Sequence, residues 1–320
     1  MSSSGFPAVA CLFLAAAGGP GRFPACAHSP SRPAGILTQM VSDEAMKPYG
    51  STYIPASYVK YVEAGGSRVV PIRLTLAAAE YEAIFRQING LLLIGGAVDL
   101  ETSAYARVAK IFYALALTAN DAGDFFPIWG TCMGMQLLTV LAAGKNLLSN
   151  ATAENVALPL NLTTAGSSRM FEGFPSDLMK ALIQEPLTGN FHHYVSSPSC
   201  LQTLLRTAPS LSQPLKVTRY RFIKFIVLTN TPSNNTSLCF LPGKRYPFYG
   251  VQWHPEVNRF QWSRRMNIPH SRHAVQLSSL LSERSLHQYD DPEEEVKSLI
   301  YKYAPVYAAK FTGYEQIYFF

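Results

Sequence analysis

The chain has 320 residues, 48% of them apolar and only 15% charged, which is enough apolar material for a substantial core and excludes a largely disordered protein. Its 27 basic and 21 acidic residues leave a net charge of +6. The basic residues are scattered rather than gathered into a stripe with interleaved aromatics, so nucleic-acid binding is not expected, although the modest positive field would help draw in an anionic small molecule.

The first residues, "MSSSGFPAVACLFLAAAGGPGRFPACAHSP", carry an apolar stretch from Pro7 to Ala17 that is too short to span a bilayer and has the length of a signal-peptide core. "ACA" at Ala25 to Ala27 has the small-x-small form of a cleavage site, so residues 1–27 are read as a removable signal peptide and 28–320 as a single domain. The segment lacks the positive side chain that usually precedes such a core, and an irregular leader is the alternative. No other stretch is long and apolar enough to anchor the chain in a membrane. N-x-S/T sequons at Asn150, Asn161, Asn234 and Asn235 join the leader in pointing to the secretory pathway, with lysosome, vacuole or extracellular space as destinations. Five cysteines without CxxC spacing are too sparse for a disulfide framework. Removal of the leader leaves Cys132, Cys200 and Cys239, an odd number with a free thiol among them.

From Ala34 the pattern alternates. "AGILTQ" reads as a strand and "SYVKYVEAGG" as a helix stopped by glycine; "RVVPIRL" and "AAEYEAIFRQI" repeat that pair. "NGLLLIGG" is a buried strand closed by two glycines. "SAYARVAKIFYALALTAN" is a helix whose spacing puts Ala104, Val108, Ile111, Phe112 and Leu115 on one apolar face. "FFPIW" is the next strand, and "MGMQLLTVLAAG" a helix ending at Gly144. Short apolar strands separated by amphipathic helices predict an α/β fold: a three-layer, mostly parallel central sheet with helices on both faces. Working residues in such sheets gather at the carboxyl ends of the strands, where the corners "IGGAVD" and "WGTCMG" fall. Beyond residue 145 the pattern loosens. "RFIKFIVLT", "TSLCFL" and "YPFYGVQW" read as strands, partly antiparallel, and Ser196 to Val217 as an inserted loop. "DDPEEEVKSLIYKY" reads as a solvated helix start with its acids in the first turn.

Three elements carry chemistry. In "WGTCMG" a strand gives way to a helix at a cysteine flanked by Gly130 and Gly134, which free the space that a sharp strand-to-helix corner needs. The corner would present the Cys132 sulfur at a helix N-terminus, where the dipole and free amides favour a thiolate, and would aim the Met133 amide at a developing oxyanion. "YPFYGVQWHPE" ends an apolar run in His254 and Glu256, an imidazole to serve as base and acid and a carboxylate to orient it. In "LLLIGGAVDL", Gly95 and Gly96 let backbone amides approach a ligand and would complete an oxyanion hole with Met133; one such donor is worth about 3 to 4 kcal/mol in a transition state. Each element alone also fits a structural reading: a buried cysteine, a core histidine, an ordinary glycine turn. No metal or diffusible cofactor is expected: His270 and His273 stand three apart without carboxylate or cysteine neighbours in the sequence, and neither a Walker A motif nor GxGxxG occurs.

These elements, together with "RPAGILTQ", "YGSTYIPASYVKYVEAGGSRVVPIRL", "YARVAKIFY", "SRMFEGFP" and "EPLTGNFHHY", resemble the γ-glutamyl hydrolase family, folylpolyglutamate-trimming cysteine peptidases of class I glutamine amidotransferase-like fold. The resemblance runs from about Arg32 to about Trp262 and returns in "EEEVKSLIYKYAPVY". It implies a small-molecule folylpolyglutamate substrate, no cofactor, and, from the family's tendency to dimerise, a homodimer. It also implies that Cys132 is the nucleophile, His254 the general acid and base, Glu256 its carboxylate partner, and His192 a substrate-cleft residue. Polyglutamate is strongly anionic, and Lys60 and Arg169 are candidate cations. The chain departs from the family at Ile94, where proline usually precedes the two glycines, in the long Ser196 to Val217 stretch, and between Ser263 and Asp290. Two rival readings are a glutamine amidotransferase, echoed by Gln136 but without room for a synthase domain, and a noncatalytic binding protein on the same fold.

Overall fold

The computed structural model describes residues 33–160, 162, 169–171, 173–196, 240–242, 246–283 and 298–320. The expected leader, the sequons at Asn161, Asn234 and Asn235, Cys200 and Cys239, the inserted stretch after Ser196, "RFIKFIVLT" and "DDPEEEVK" lie outside the described residues. The strands are β1 Ala34–Leu37, β2 Gln39–Met40, β3 Thr52–Pro55, β4 Val69–Ile72, β5 Leu91–Leu93, β6 Ile128–Thr131, β7 Leu148–Leu158, β8 Thr188–Ser196, β9 Phe240–Pro242, β10 Phe248–Val251, β11 Val306–Tyr307 and β12 Gln316–Phe319. The α-helices are α1 Ala56–Ala64, α2 Ala78–Gln87, α3 Ala104–Asp121, α4 Met133–Ala143, α5 Ser176–Gln184, α6 Val257–Phe260 and α7 Arg272–Glu283.

The main sheet has the order β4-β1-β5-β6-β10-β9, parallel throughout except for β9 against β10. Successive side chains on a strand point to opposite faces, so a sheet covered on both sides needs strands that are apolar at every position. β1 and β5 meet that need, and β6 does so up to Thr131, the buried residue at its carboxyl end. Ile36, Leu92 and Trp129 enter a core with Tyr58 and Val62 of α1, Leu182 of α5 and Leu277 of α7. Leu37, Leu91, Leu93 and Ile128 enter the opposite core with Tyr81 of α2, Phe112 of α3 and Leu137 of α4. Each such fully buried side chain contributes about 1.5 to 3 kcal/mol. Pro71 is tolerated because β4 is an edge strand. The three-layer expectation therefore holds, with one rotation: the buried stripe of α3 is Tyr105, Ala106, Val108, Ala109, Phe112 and Ala116. Ala104, Ile111 and Leu115 flank it, because the bulky Tyr105 turns inward where its hydroxyl reaches the Ile94 carbonyl at 3.2 Å.

Two smaller sheets complete the molecule. β11-β12-β3-β2 is antiparallel and ties the C-terminal residues to the strand that enters α1. β7 and β8, with α5 between them in the chain, form an irregular two-stranded antiparallel sheet. Among the described residues, no helix is long and apolar enough to cross a membrane.

Candidate active site

The corner at the end of β6 is sharp. Cys132 has φ 52° and ψ −112°, a region that costs a non-glycine residue about 1 to 3 kcal/mol and persists only when its surroundings enforce it. They do so here. The Cys132 N–H donates to the Val251 carbonyl at 2.8 Å and its own carbonyl accepts from the Gln136 N–H at 3.1 Å, which pins the residue between β10 and the first turn of α4. The glycines are required by contact: a methyl on Gly130 would lie 2.6 Å from the Gly134 backbone, and one on Gly134 only 2.0 Å from the Leu93 carbonyl oxygen. α4 thus rests directly on the sheet, and its N-terminus begins at a cysteine that is 5% exposed.

β10 runs parallel to β6 and delivers His254 and Glu256 to the same place. Val251 pairs with Thr131, and the His254 N–H donates to the Gly189 carbonyl of β8 at 3.0 Å. The imidazole Nδ1 donates to Glu256 Oε1 at 2.8 Å and lies 3.2 Å from the Tyr58 hydroxyl. The ring's other nitrogen is left for the Cys132 sulfur, which is near enough to act on the imidazole's charge. Burial by itself would pull the imidazole down, but the Glu256 carboxylate first and the Cys132 sulfur second more than offset it and hold His254 up at about 10. Glu256 is buried and its second oxygen has no donor among the described residues, so the imidazolium is the counter-charge that makes the buried carboxylate tolerable. Through neutral pH the site therefore holds a protonated imidazole against a sulfur.

The remaining candidates are distributed unevenly. The Gly95 amide, expected to face a ligand, instead donates to the Tyr58 hydroxyl at 2.9 Å. Gly95 lies against the site, a methyl on it falling 2.7 Å from His254 Cε1 and 3.5 Å from Cys132 Cβ, and the oxyanion-hole expectation passes to Gly96 alone on that loop. Gly96 is exposed, and its N–H has no acceptor among the described residues. Met133 opens α4, where first-turn amides lack an intrahelical acceptor. His192, on β8, is 4% exposed, with Nε2 3.4 Å from Asn190 Oδ1. Burial first and the His254 charge second push it down to about 4. Lys60, on α1, donates from its Nζ to Gln316 Oε1 at 2.5 Å. His273 finds a carboxylate that sequence neighbours did not provide, Glu185 at 2.8 Å, while His270 stacks on Trp262 at 4.0 Å.

Two contributors were not singled out in the sequence. Tyr58 bridges His254 and the Gly95 loop, and burial followed by the Glu256 charge keeps its hydroxyl well above the usual phenol range, hence neutral. Gln252 places its Nε2 3.7 Å from the Cys132 sulfur. Tyr58 carries no separate sequence signal, since at helical spacing it reads as core. Gln252 stands just past β10 and two residues before His254, and that spacing in "YGVQWHPE" was the available clue.

With the geometry in hand, comparison with known proteins places it. The model of the Peptidase C26 family matches residues 34–160. The chain is 41% identical over 294 residues to the γ-glutamyl hydrolase of Homo sapiens, covering 89% of this chain and 88% of that one. It is 39% identical over 318 residues to the γ-glutamyl hydrolase of Bos taurus, covering 97% and 96%. Similarity to γ-glutamyl hydrolase B of Dictyostelium discoideum is 35% over 298 residues, covering 89% and 82%.

Proposed function

The chain belongs to the γ-glutamyl hydrolase family, and from that premise we propose that it is a cysteine hydrolase cleaving the γ-glutamyl amide bonds of folylpoly-γ-glutamates and related poly-γ-glutamates through a thioester. The observation that carries this reading is the convergence of the strained Cys132, the charged His254 and the buried Glu256, with the imidazole Nδ1 2.8 Å from the carboxylate. The sulfur attacks the scissile carbonyl carbon, and the electron pair of the carbonyl bond moves onto oxygen. Met133 and Gly96 amides are the donors available to that oxyanion. Collapse of the tetrahedral intermediate expels the amine, which takes its proton from His254. The neutral imidazole then removes a proton from water as it attacks the thioester, releasing the shortened acid and restoring the sulfur. Glu256 holds the imidazole orientation through both steps. An inert binding protein would have no use for a strained cysteine paired with a charged imidazole, and the similar proteins named above are γ-glutamyl hydrolases rather than amidotransferases.

Residues 1–27 and the sequons support work in the secretory pathway, in lysosome, vacuole or extracellular space; Asn150, on β7, is exposed. A homodimer rests on the resemblance. The test is incubation with pteroyl penta-γ-glutamate and separation of products by length. Wild-type protein shortens the chain and folded Cys132→Ala does not. An unshortened substrate with folded wild-type protein, or equal shortening by Cys132→Ala, refutes the reading.

A further inference from the structure

Two buried amides beside the sulfur take no part in the steps above. Gln252 follows β10 and is fully buried, with Nε2 3.7 Å from Cys132 Sγ. Gln136, at the end of the first turn of α4, is also buried; its Nε2 donates to the Tyr194 carbonyl at 2.7 Å and to Gln252 Oε1 at 3.2 Å. The order of these bonds is dictated by chemistry. A backbone carbonyl can only accept, so the end of Gln136 that faces Tyr194 is its amino group. The second hydrogen of that amino group needs an acceptor, and Gln252 can offer only its oxygen. The Gln252 amino group is thereby turned toward the sulfur. Reversing any amide would set two acceptors or two donors face to face inside the protein, where an unmade hydrogen bond is costly.

We propose that Gln252 is a further catalytic residue, donating its side-chain N–H to the Cys132 sulfur, and that Gln136 is a positioning residue that fixes this amide from the Tyr194 carbonyl on β8. The proposal rests on Cys132 being the nucleophile. A donor at the sulfur favours the ionised form over the neutral thiol and adds to the His254 imidazolium. When the sulfur becomes part of a thioester it loses its charge and most of its acceptor strength, and the bond slackens; when water displaces it, the donor is in place to receive the returning charge. The relay also ties the β8 strand, and with it His192, to the nucleophile.

The readout is the rate of iodoacetamide alkylation at the peptide containing Cys132, followed from about pH 4 to about pH 10, in full-length wild type, Gln252→Met, Gln136→Met and the double variant. The charged and titratable groups facing the sulfur are His254, Glu256, Tyr58 and Tyr314, and all four stay in place in these variants. In Gln252→Met the midpoint of the profile rises by about one pH unit, roughly tenfold less alkylation below the midpoint. Gln136→Met, which does not touch the sulfur, reproduces most of that rise, and the double variant adds nothing to Gln252→Met. A merely structural Gln136 would lower the thermal midpoint of unfolding and leave the alkylation profile where it was. Unmoved profiles in both single variants, or shifts that add in the double, overturn the relay. Should Gln252→Met fail to fold, Gln136→Met decides alone. Because alkylation is scored whether or not polyglutamate is cleaved, an inactive protein with shifted midpoints removes the hydrolase reading and keeps the relay, while an active one with unshifted midpoints does the reverse.

Discussion

Replacing Gly134 by alanine separates the placement of the nucleophile from the stability of the fold. The added methyl would stand 2.0 Å from the Leu93 carbonyl oxygen and 2.5 Å from its carbon, whereas a carbon needs about 3.3 Å from such an oxygen. Leu93 ends β5, which is paired on both sides by β1 and β6 and cannot withdraw. α4 must lift instead, by roughly 1 Å or more at its first turn. Cys132 caps that turn, while His254 is held from β10 and stays behind. Overpacking of this kind costs about 1 to 3 kcal/mol of stability, but a misplacement near 1 Å of a reacting group costs about a hundredfold in rate. Gly134→Ala is therefore expected to remain folded and to lose about a hundredfold in kcat/KM for a pteroyl γ-glutamate substrate. Gly123→Ala is the control: its φ is +88° and nothing lies within 4 Å of the added methyl, so it forfeits about 1 kcal/mol with unchanged kcat/KM. Thermal unfolding and hydrolysis are measured on both. A Gly134→Ala protein within about threefold of wild type in kcat/KM would refute the argument that close seating of α4 on β5 aims the sulfur.

Glu256→Gln removes the charge that holds His254 up at about 10 and leaves burial to pull it down. The protonated donor is then present only at lower pH, so the basic limb of the kcat/KM profile moves down by about two pH units; an unmoved limb contradicts the assignment. His192 titrates in the opposite sense: its folded value, about 4, lies below the ordinary 6.5. A depressed value means stability that is complete above about pH 6.5 and is lost as pH falls through about 4, at most roughly 3 kcal/mol. His192→Asn should flatten the fall of the thermal midpoint across that window, and a fall as steep as in wild type would show that another group drives it.

The parts of the molecule that the sequence made legible are those where local pattern and burial agree. Runs such as "LLL" in β5 are apolar at every position because both faces of the sheet are covered, and the glycines around Cys132 mark contacts that tolerate no Cβ. α5 and the β7-β8 pair were not anticipated. β7 carries bulge-like shifts between Asn150 and Ala153 and between Ala153 and Val156 that break the alternation on which a strand is recognised. β3 was hidden for a different reason: "TYIP" is short, ends in proline, and acquires its partners from Gln39 and from Ile317, Tyr318 and Phe319 far along the chain. At the site, Cys132, His254 and Glu256 declare themselves by residue type and spacing. Tyr58 could not, because its part in the site depends on a hydroxyl reaching the Gly95 amide and His254 across the fold. The Gly95 expectation failed on the same contact, since a glycine corner announces room for an amide without saying which oxygen will take it.

The central claim is that the Cys132 sulfur becomes covalently acylated. Acid quenching of wild-type protein during turnover of pteroyl penta-γ-glutamate, followed by digestion and mass spectrometry, tests it without intermediaries. A pteroyl-glutamyl acyl mass is expected on the peptide containing Cys132, discharged by hydroxylamine and lacking in Cys132→Ala. Cleavage proceeding with that peptide unmodified, or the acyl group on a different residue, would contradict it.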